Sequence, residues 1–420
     1  IDTYSGYGAR SRDIVKAIIK TDKYDVKILP QRWGATPWNF IEDHKDEWGF
    51  LQSHILIEPK LTQKPEIWAQ ITIPNEFQPV GKYNIGITAG IETTAVKGEW
   101  IEGCNRMNLV ITSSEFAKKT FESMSYEIKN QQGQTQGHLK LTTPIEVIFE
   151  GANTDIYKVL NTPCSLDLQI KESFAYLFVG HWTQGDFGED RKNVSLLIKA
   201  FYETFKNKKN KPALILKTSG SGSSYMDRNT ILDKINKIKK SVNSKDLPNI
   251  YLLHGEFTDE EMNEIYNHSK VKAMISLTKG EGFGRPLLEF SLVKKPIIAS
   301  GWSAHTEFLD PNFTIALGGE LRQVGPSAVN DWVIAESQWF NVDYGQVGHY
   351  LKDMFENYKK YTDGAKRQAF KSKNEFNWDK MFEKVDQTLT QYIPEFPKEV
   401  QLQLPKLNKI ELPKLEKING

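Results

Sequence analysis

The chain has 420 residues, 39% hydrophobic and 25% charged. That balance suits two or three globular domains of about 150 residues each and excludes a disordered polymer. Its formal net charge of +1 gives no global pull toward nucleic acid or anionic lipid, and no apolar run approaches the ~18 residues that a membrane span requires.

In chain order, short β-branched runs alternate with helical patterns. Ile1 to Thr3 lead into a glycine turn, Ser5 to Gly8, and then a helix over Ala9 to Lys20. Such a unit begins on a strand, so one more strand is expected ahead of Ile1. Strands are expected at Asp25–Leu29, Trp68–Ile73, Asn84–Thr88, Leu109–Thr112 and Ile145–Phe149. A polar stretch, Asn161 to Ser173, broken by Pro163, marks a boundary. Strands then resume at Tyr176–Gly180, Ala213–Lys217, Ile250–His254, Lys272–Ser276 and Pro296–Ser300. Among the intervening helices, Asn193 to Phe205 places Val194, Leu197, Ile198, Phe201 and Phe205 on one face. Alternating strand and helix predicts an α/β protein with parallel sheets covered on both sides. Two such units are expected, at residues 1–165 and 170–376. A crossover helix follows at 377–393, with Trp378, Met381, Phe382, Val385 and Leu389 as its apolar stripe. Residues 394–420 form a tail in which Leu404–Ile410 recurs as Leu412–Ile418. The tail reads either as an extended arm packed on the first domain or on another chain, or as a mobile lysine-rich end. Two cysteines, Cys104 and Cys164, are too few for a disulfide framework. They fit a reducing compartment, here expected to be the cytoplasm, with peripheral attachment to a membrane left open.

The most informative stretch is Leu277 to Ser300, LTKGEGFGRPLLEFSLVKKPIIAS. A buried strand leaves through a glycine-rich turn holding Glu281, and Pro286 suits the first position of the next helix. Backbone N–H groups at Gly282, Phe283, Gly284 and Arg285 would face outward at a helix N-terminus, where phosphate is favoured. Glycine lets a ligand approach the backbone closely. Glu281 would sit at the C-terminal edge of the sheet, where open α/β folds bind ligands. Glu289, one turn into the helix, could accept hydrogen bonds from a vicinal diol such as ribose.

This stretch resembles the Glu-x7-Glu signature of retaining GT-B glycosyltransferases, specifically glycosyltransferase family 4. The resemblance spans roughly Asp2 to Ile393. It implies two Rossmann-like domains with parallel sheets facing a central cleft, a nucleotide-sugar on the second, an acceptor on the first, and a C-terminal helix crossing back. Phe178 to Phe201 is similar to the family's first nucleotide-domain strand and helix, so Lys192, with Arg191 beside it, is expected at the donor diphosphate. The family's arginine after the strand glycine is His181 here, a departure that weakens that clamp. Ser5 to Arg12, with Gly6, Tyr7 and Gly8, resembles the family's first glycine loop over the donor phosphates. Glu92, in Gly86 to Thr94, stands where the family often has a histidine near the sugar; a helix cap is the other reading. Leu252 to Phe257, with His254, matches the loop that meets the base. Lys217 precedes a Ser/Gly run that reads as a cleft lip or a linker.

The resemblance implies transfer of a hexose, with retention, from a UDP- or GDP-sugar to a saccharide or glycan hydroxyl, with no cofactor and no metal. Glu281, Lys192 and Glu92 would carry the catalysis, Glu281 by positioning the sugar hydroxyls. Two other readings stand beside it. A DNA-base glucosyltransferase of the same architecture would need a basic groove. A non-catalytic sugar-binding or assembly protein would explain the His181 departure and the tail.

Overall fold

The computed structural model describes residues 1–397 apart from 35, 59, 62, 221 and 223. The repeated tail segments at 404–418 lie outside the described residues. Helix α1 (Gly6–Lys20) starts three residues earlier than the sequence pattern suggests. Extended Ser5 caps it, its Oγ accepting from the Gly8 N–H at 3.0 Å. Gly6, Tyr7 and Gly8 therefore form a helical first turn rather than a glycine loop. The expected strand Asp25–Leu29 does not form. Ile28 makes one isolated bridge to Ile55 and packs with Ile41, Trp48 and Leu51 beneath two short helices, α2 (Phe40–Asp43) and α3 (Lys45–Trp48). A five-residue alternation with no strand beside it has no ladder to join.

The first parallel sheet is built from β1 (Ile67–Ile71), β2 (Tyr83–Ile87), β3 (Leu109–Thr112) and β6 (Ile145–Val147), in the order β1-β2-β3-β6. Helices α4 (Gly98–Asn105) and α5 (Glu115–Ser123) alternate with these strands, and β4 (Tyr126–Lys129) with β5 (Thr135–Leu139) forms a separate hairpin. The second sheet comprises β7 (Ala175–Val179), β8 (Ala213–Lys217), β9 (Ile250–Leu253), β10 (Val271–Ser276), β11 (Ile297–Ser300) and β12 (Ile315–Leu317). Its order is β12-β11-β10-β7-β8-β9, all parallel. The connecting helices are α6 (Val194–Phe205), α7 (Tyr225–Lys240), α8 (Asp259–Asn267) and α9 (Arg285–Ser291). A second hairpin, β13 (Gly319–Gln323) with β14 (Gln338–Val342), precedes α10 (Tyr344–Glu356), α11 (Lys359–Glu375) and α12 (Trp378–Tyr392).

Strand periodicity divides each sheet between two cores. In the second sheet, Tyr176, Phe178, Leu214, Leu216 and Ile275 pack with α6. The alternate residues Leu177, Ile215 and Met274 pack with α8 and α9 on the opposite face. Burial on both faces explains why these strands read as unbroken apolar runs. In the first sheet, Val110 and Ile145 pack with Trp100, Ile101 and Phe121, whereas Ile85, Ile87, Leu109 and Ile111 pack with Ile14 of α1 and with Met381, Val385 and Leu389 of α12. The C-terminal helix thus crosses back onto the first sheet. Backbone bonds fix the crossing point, Ala152 N–H to Phe376 O at 2.9 Å and Trp378 N–H to Ala152 O at 3.1 Å. Among the described residues no helix is long and apolar enough to cross a membrane.

Candidate active site

In the second sheet, connections from β7 run one way through β8 and β9, while β10 lies on the other side of β7. The gap between the ends of β7 and β10 is therefore a topological switch point, where open α/β sheets bind ligands. Glu281 follows β10, and Gly180 follows β7 with the Lys192 side chain beside it. Lys192 belongs to the turn before α6. Asp190 holds that turn by accepting from Val194 N–H at 2.8 Å and Ser195 Oγ at 2.9 Å. The Arg191 carbonyl also accepts from Lys279 N–H at 2.8 Å, which ties the two loops together.

Glu281 is only 7% exposed. Its Oε1 accepts from Lys192 Nζ at 2.5 Å, and its Oε2 lies 3.4 Å from Arg191 Nη1. Arg191 reaches further, with Nη2 3.5 Å from Glu92 Oε1 on the first half. Burial pushes the Glu281 carboxyl up, but Lys192 and Arg191 outweigh it and hold it down at about 2. Glu281 is therefore a permanent anion at neutral pH. Burial lowers the Lys192 pKa, and the neighbouring Arg191 adds to that while Glu281 opposes it. Ser303 Oγ accepts from the Glu281 N–H at 2.9 Å. Behind it, fully buried His305 places Nε2 2.7 Å from the Ser300 carbonyl. A carbonyl can only accept, so that nitrogen carries the proton. Burial lowers the His305 pKa, and the ring is neutral. The sequence reading missed Ser303 and His305, whose spacing from Glu281 carries no periodic signal.

Glu289 lies in a different environment. Its Oε1 accepts from Arg285 Nε at 3.0 Å and its Oε2 from the Tyr266 hydroxyl at 3.3 Å. Burial raises this carboxyl to about 8; Arg285 opposes the rise and Asp259 adds to it. Phe283 is a core side chain, 5.1 Å from the Phe308 ring, and offers only its backbone to the turn. Gly284 takes φ of 99°, a left-handed conformation that glycine adopts without strain, and so starts α9 abruptly.

The other predicted residues spread along the same sheet edge. His181 follows β7 and is exposed, with Nδ1 3.0 Å from Ser219 Oγ. Its pKa is lowered, first by partial desolvation and then by Lys192, Lys217 and Arg191. Lys217 ends β8, its Nζ 5.3 Å from the centre of the Phe257 ring; burial lowers its pKa. His254 follows β9 and pairs through Nε2 with Asp227 at 2.8 Å. Glu281, His181, Lys217 and His254 thus form a row across four adjacent strands, β10-β7-β8-β9. Tyr7 lies on the opposite wall, its hydroxyl 3.0 Å from Thr88 Oγ1 and accepting from the Ala89 N–H at 3.2 Å.

The two walls touch at the glycine turn. A Cβ on Gly280 would lie 1.8 Å from the Glu92 carbonyl oxygen, and one on Gly282 2.5 Å from that of Ala89. What approaches these two glycines is the first half of the chain. Ser113 Oγ donates to the Gly282 carbonyl at 2.9 Å. Glu307 accepts from the Glu115 and Phe116 N–H groups at 3.1 and 2.9 Å, so a carboxylate of the second half caps α5 of the first. Thr94 and Gln338 exchange bonds of 2.9 and 2.8 Å.

Residues 185–318, the segment with Arg191, Lys192, Glu281 and Glu289, match the family model described as glycosyl transferases group 1. That match replaces the assignment to glycosyltransferase family 4 drawn from the Glu-x7-Glu spacing, a pattern too short to distinguish the two. No curated protein matches the chain. Among solved structures, a glycosyltransferase from Rickettsia africae is similar over 93% of this chain and 96% of its own, with 13% identity and a TM-score of 0.59. Sucrose-phosphate synthase from Thermosynechococcus elongatus (12% identity, 73% and 67% covered, TM-score 0.49) and Anabaena HepE in complex with UDP and glucose (15%, 74% and 72%, 0.49) are also similar. The fold is GT-B, two Rossmann-like units with parallel sheets and C-terminal helices.

Proposed function

We propose that the protein is a glycosyltransferase that moves a hexose from a nucleotide-diphosphate sugar to an acceptor hydroxyl, with retention of configuration. The observation that carries this reading is the Lys192–Glu281–Arg191 cluster at the switch point of the second sheet, facing the first half.

The chemistry follows from charge. The acceptor oxygen bonds to the anomeric carbon, the bond from that carbon to the phosphate oxygen breaks, and its electron pair leaves on the diphosphate. Cations fixed in advance stabilise that departing charge without reorganisation. Lys192 and Arg191 are those cations, held in the free protein by Glu281 and Glu92. Glu281, ionised and hydrogen-bonded to Lys192, is a poor general base and a poor nucleophile; its role is to orient the sugar hydroxyls. The leaving diphosphate itself then takes the acceptor proton on the face it departs from, which supports retention. Glu289 and Arg285 would meet the donor's ribose side, and His181, Lys217 and His254 its base and phosphates. The first half, with Glu92 and Tyr7, would receive a saccharide or glycan acceptor, and packing of the two walls would exclude water from the sugar. Residues 1–165 and 170–376 would act as the two moving units.

The test is a panel of UDP-, GDP- and ADP-sugars scored by thermal shift, by release of nucleoside diphosphate, and by NMR of the anomeric coupling in the product. A donor that raises the melting temperature and is turned over with retention is expected. Absence of both effects across the panel would overturn the reading, and an inverted product would overturn its stereochemistry.

A further inference from the structure

Each glutamate of the pair is tied, through one arginine, to one acid of the opposite wall. Glu281 reaches Glu92 through Arg191, and Glu289 reaches Asp13 through Arg285. The second bridge is the tighter one, with Arg285 Nη1 2.8 Å from Asp13 Oδ2 and Arg285 Nε 3.0 Å from Glu289 Oε1. Asp13 sits on the inward face of α1, where Arg10, Arg12, Ile14 and Ala17 are also buried. At 2% exposure it cannot touch a ligand. An aspartate on a core-facing surface is costly unless a cation answers it; Arg12 of α1 contributes, but the cation in direct contact, Arg285, comes from the other half of the molecule.

We propose that Asp13 is a positioning residue for the donor site, acting across the cleft through Arg285 to fix the Glu289 carboxyl. The Asp13–Arg285 bridge exists only while the two halves are together, so packing of the cleft adds a restraint to the arginine that, with Tyr266, holds Glu289. A guanidinium suits this because its planar fork serves two carboxylates at once, whereas an ammonium on the same stem would have to choose. The inference rests on the proposed nucleotide-sugar chemistry, since Glu289 is its donor-facing group.

The experiment is a double-mutant cycle on the full chain, using the nucleotide sugar from the panel that binds the wild type most tightly. Asp13→Asn keeps the shape and removes the charge. It is expected to raise the donor KM and Kd roughly tenfold while leaving kcat within about twofold, because an effect on binding alone separates KM from kcat. In a Glu289→Gln background the same change is expected to add nothing, since residues that act through one partner are not additive. Asp13→Glu, which restores the charge, is expected to recover part of the affinity. Should Asp13→Asn fail to fold, Arg285→Lys retains the buried charge, loses the double reach, and is expected to show the same loss of donor affinity. Unchanged donor affinity in the folded Asp13→Asn protein, or an equal loss with and without Glu289, overturns this inference and leaves the donor chemistry standing. A wild type that binds no member of the panel overturns the functional reading itself.

Discussion

Acid reads the Glu281 cluster without any substrate. Burial alone would push this carboxyl up, but Lys192 at 2.5 Å and Arg191 at 3.4 Å hold it at about 2, against an ordinary 4.5. A depressed acid contributes stability that is fully present above its unfolded pKa and is lost as pH falls through its folded one. The window is therefore pH 4.5 down to about 2. The shift corresponds to about 3 kcal/mol at neutral pH. For a unit of about 200 residues that is roughly 6–12 °C in melting temperature. Thermal unfolding of the wild type and of Glu281→Gln, followed from pH 2 to 7, isolates this contribution. The variant is expected to melt lower at neutral pH, because Lys192 and Arg191 stay buried without their anion, and to converge with the wild type as the pH falls. Parallel pH profiles for the two proteins would refute the reasoning, since they would mean that Glu281 titrates as an ordinary carboxyl.

Glu289 is expected to behave in the opposite sense. Burial raises it from 4.5 to about 8, so the wild type should lose stability relative to Glu289→Gln as pH rises through that window, measured as the difference between their melting temperatures at pH 5 and pH 9. Lys192→Ala should lower turnover by ~10²–10³-fold, read as nucleoside diphosphate release, because it removes a preorganised cation from the leaving group. Glu307→Gln should weaken the cross-cleft cap on α5 by about 1 kcal/mol and increase the radius of gyration in solution scattering. Gly280→Ala places a methyl 1.8 Å from the Glu92 carbonyl, so the halves should separate and activity fall while far-ultraviolet circular dichroism stays unchanged.

The second sheet was legible because its strands are buried on both faces. Ala213–Lys217 appears in the structure with the boundaries expected from sequence, and Ile250, Val271 and Ile297 begin their strands within a residue of expectation. The Asp25–Leu29 run had a similar alternation but no neighbouring strand, and only Ile28 keeps a bridge. The β13–β14 hairpin escaped notice because Gly319 to Gln323 is exposed throughout and carries no apolar period. Lys192 and Glu281 were each expected at the donor site from the family resemblance, though not as a pair, and the bridge from Asp13 to Arg285 joins residues 272 positions apart. Its only sequence trace is Arg10, Asp13 and Ala17 at helical spacing with Ile14, a mixture of charge and apolar groups that resembles a solvated face until the fold buries it.

Two glutamates with seven residues between them, both below 10% exposure, thus titrate in opposite directions. Burial acts on both alike, so the difference lies in the ratio of cations to acids around each. Glu281 faces two cations, Lys192 and Arg191, and the acid that also pairs with Arg191, Glu92, is partly exposed and screened by water. Glu289 faces a single arginine that it shares with buried Asp13, while Asp259 adds a further negative field. The first arrangement fixes a negative charge against a cationic clamp and requires no partner to maintain it. The second leaves a carboxyl that keeps its proton up to a pH of about 8 and whose arginine is shared with an aspartate of the other wall. A donor that entered such a cleft would find the sugar end of its site built in advance. The ribose end would be completed only when the walls meet, which is the order required if water is to be excluded before the glycosyl bond breaks.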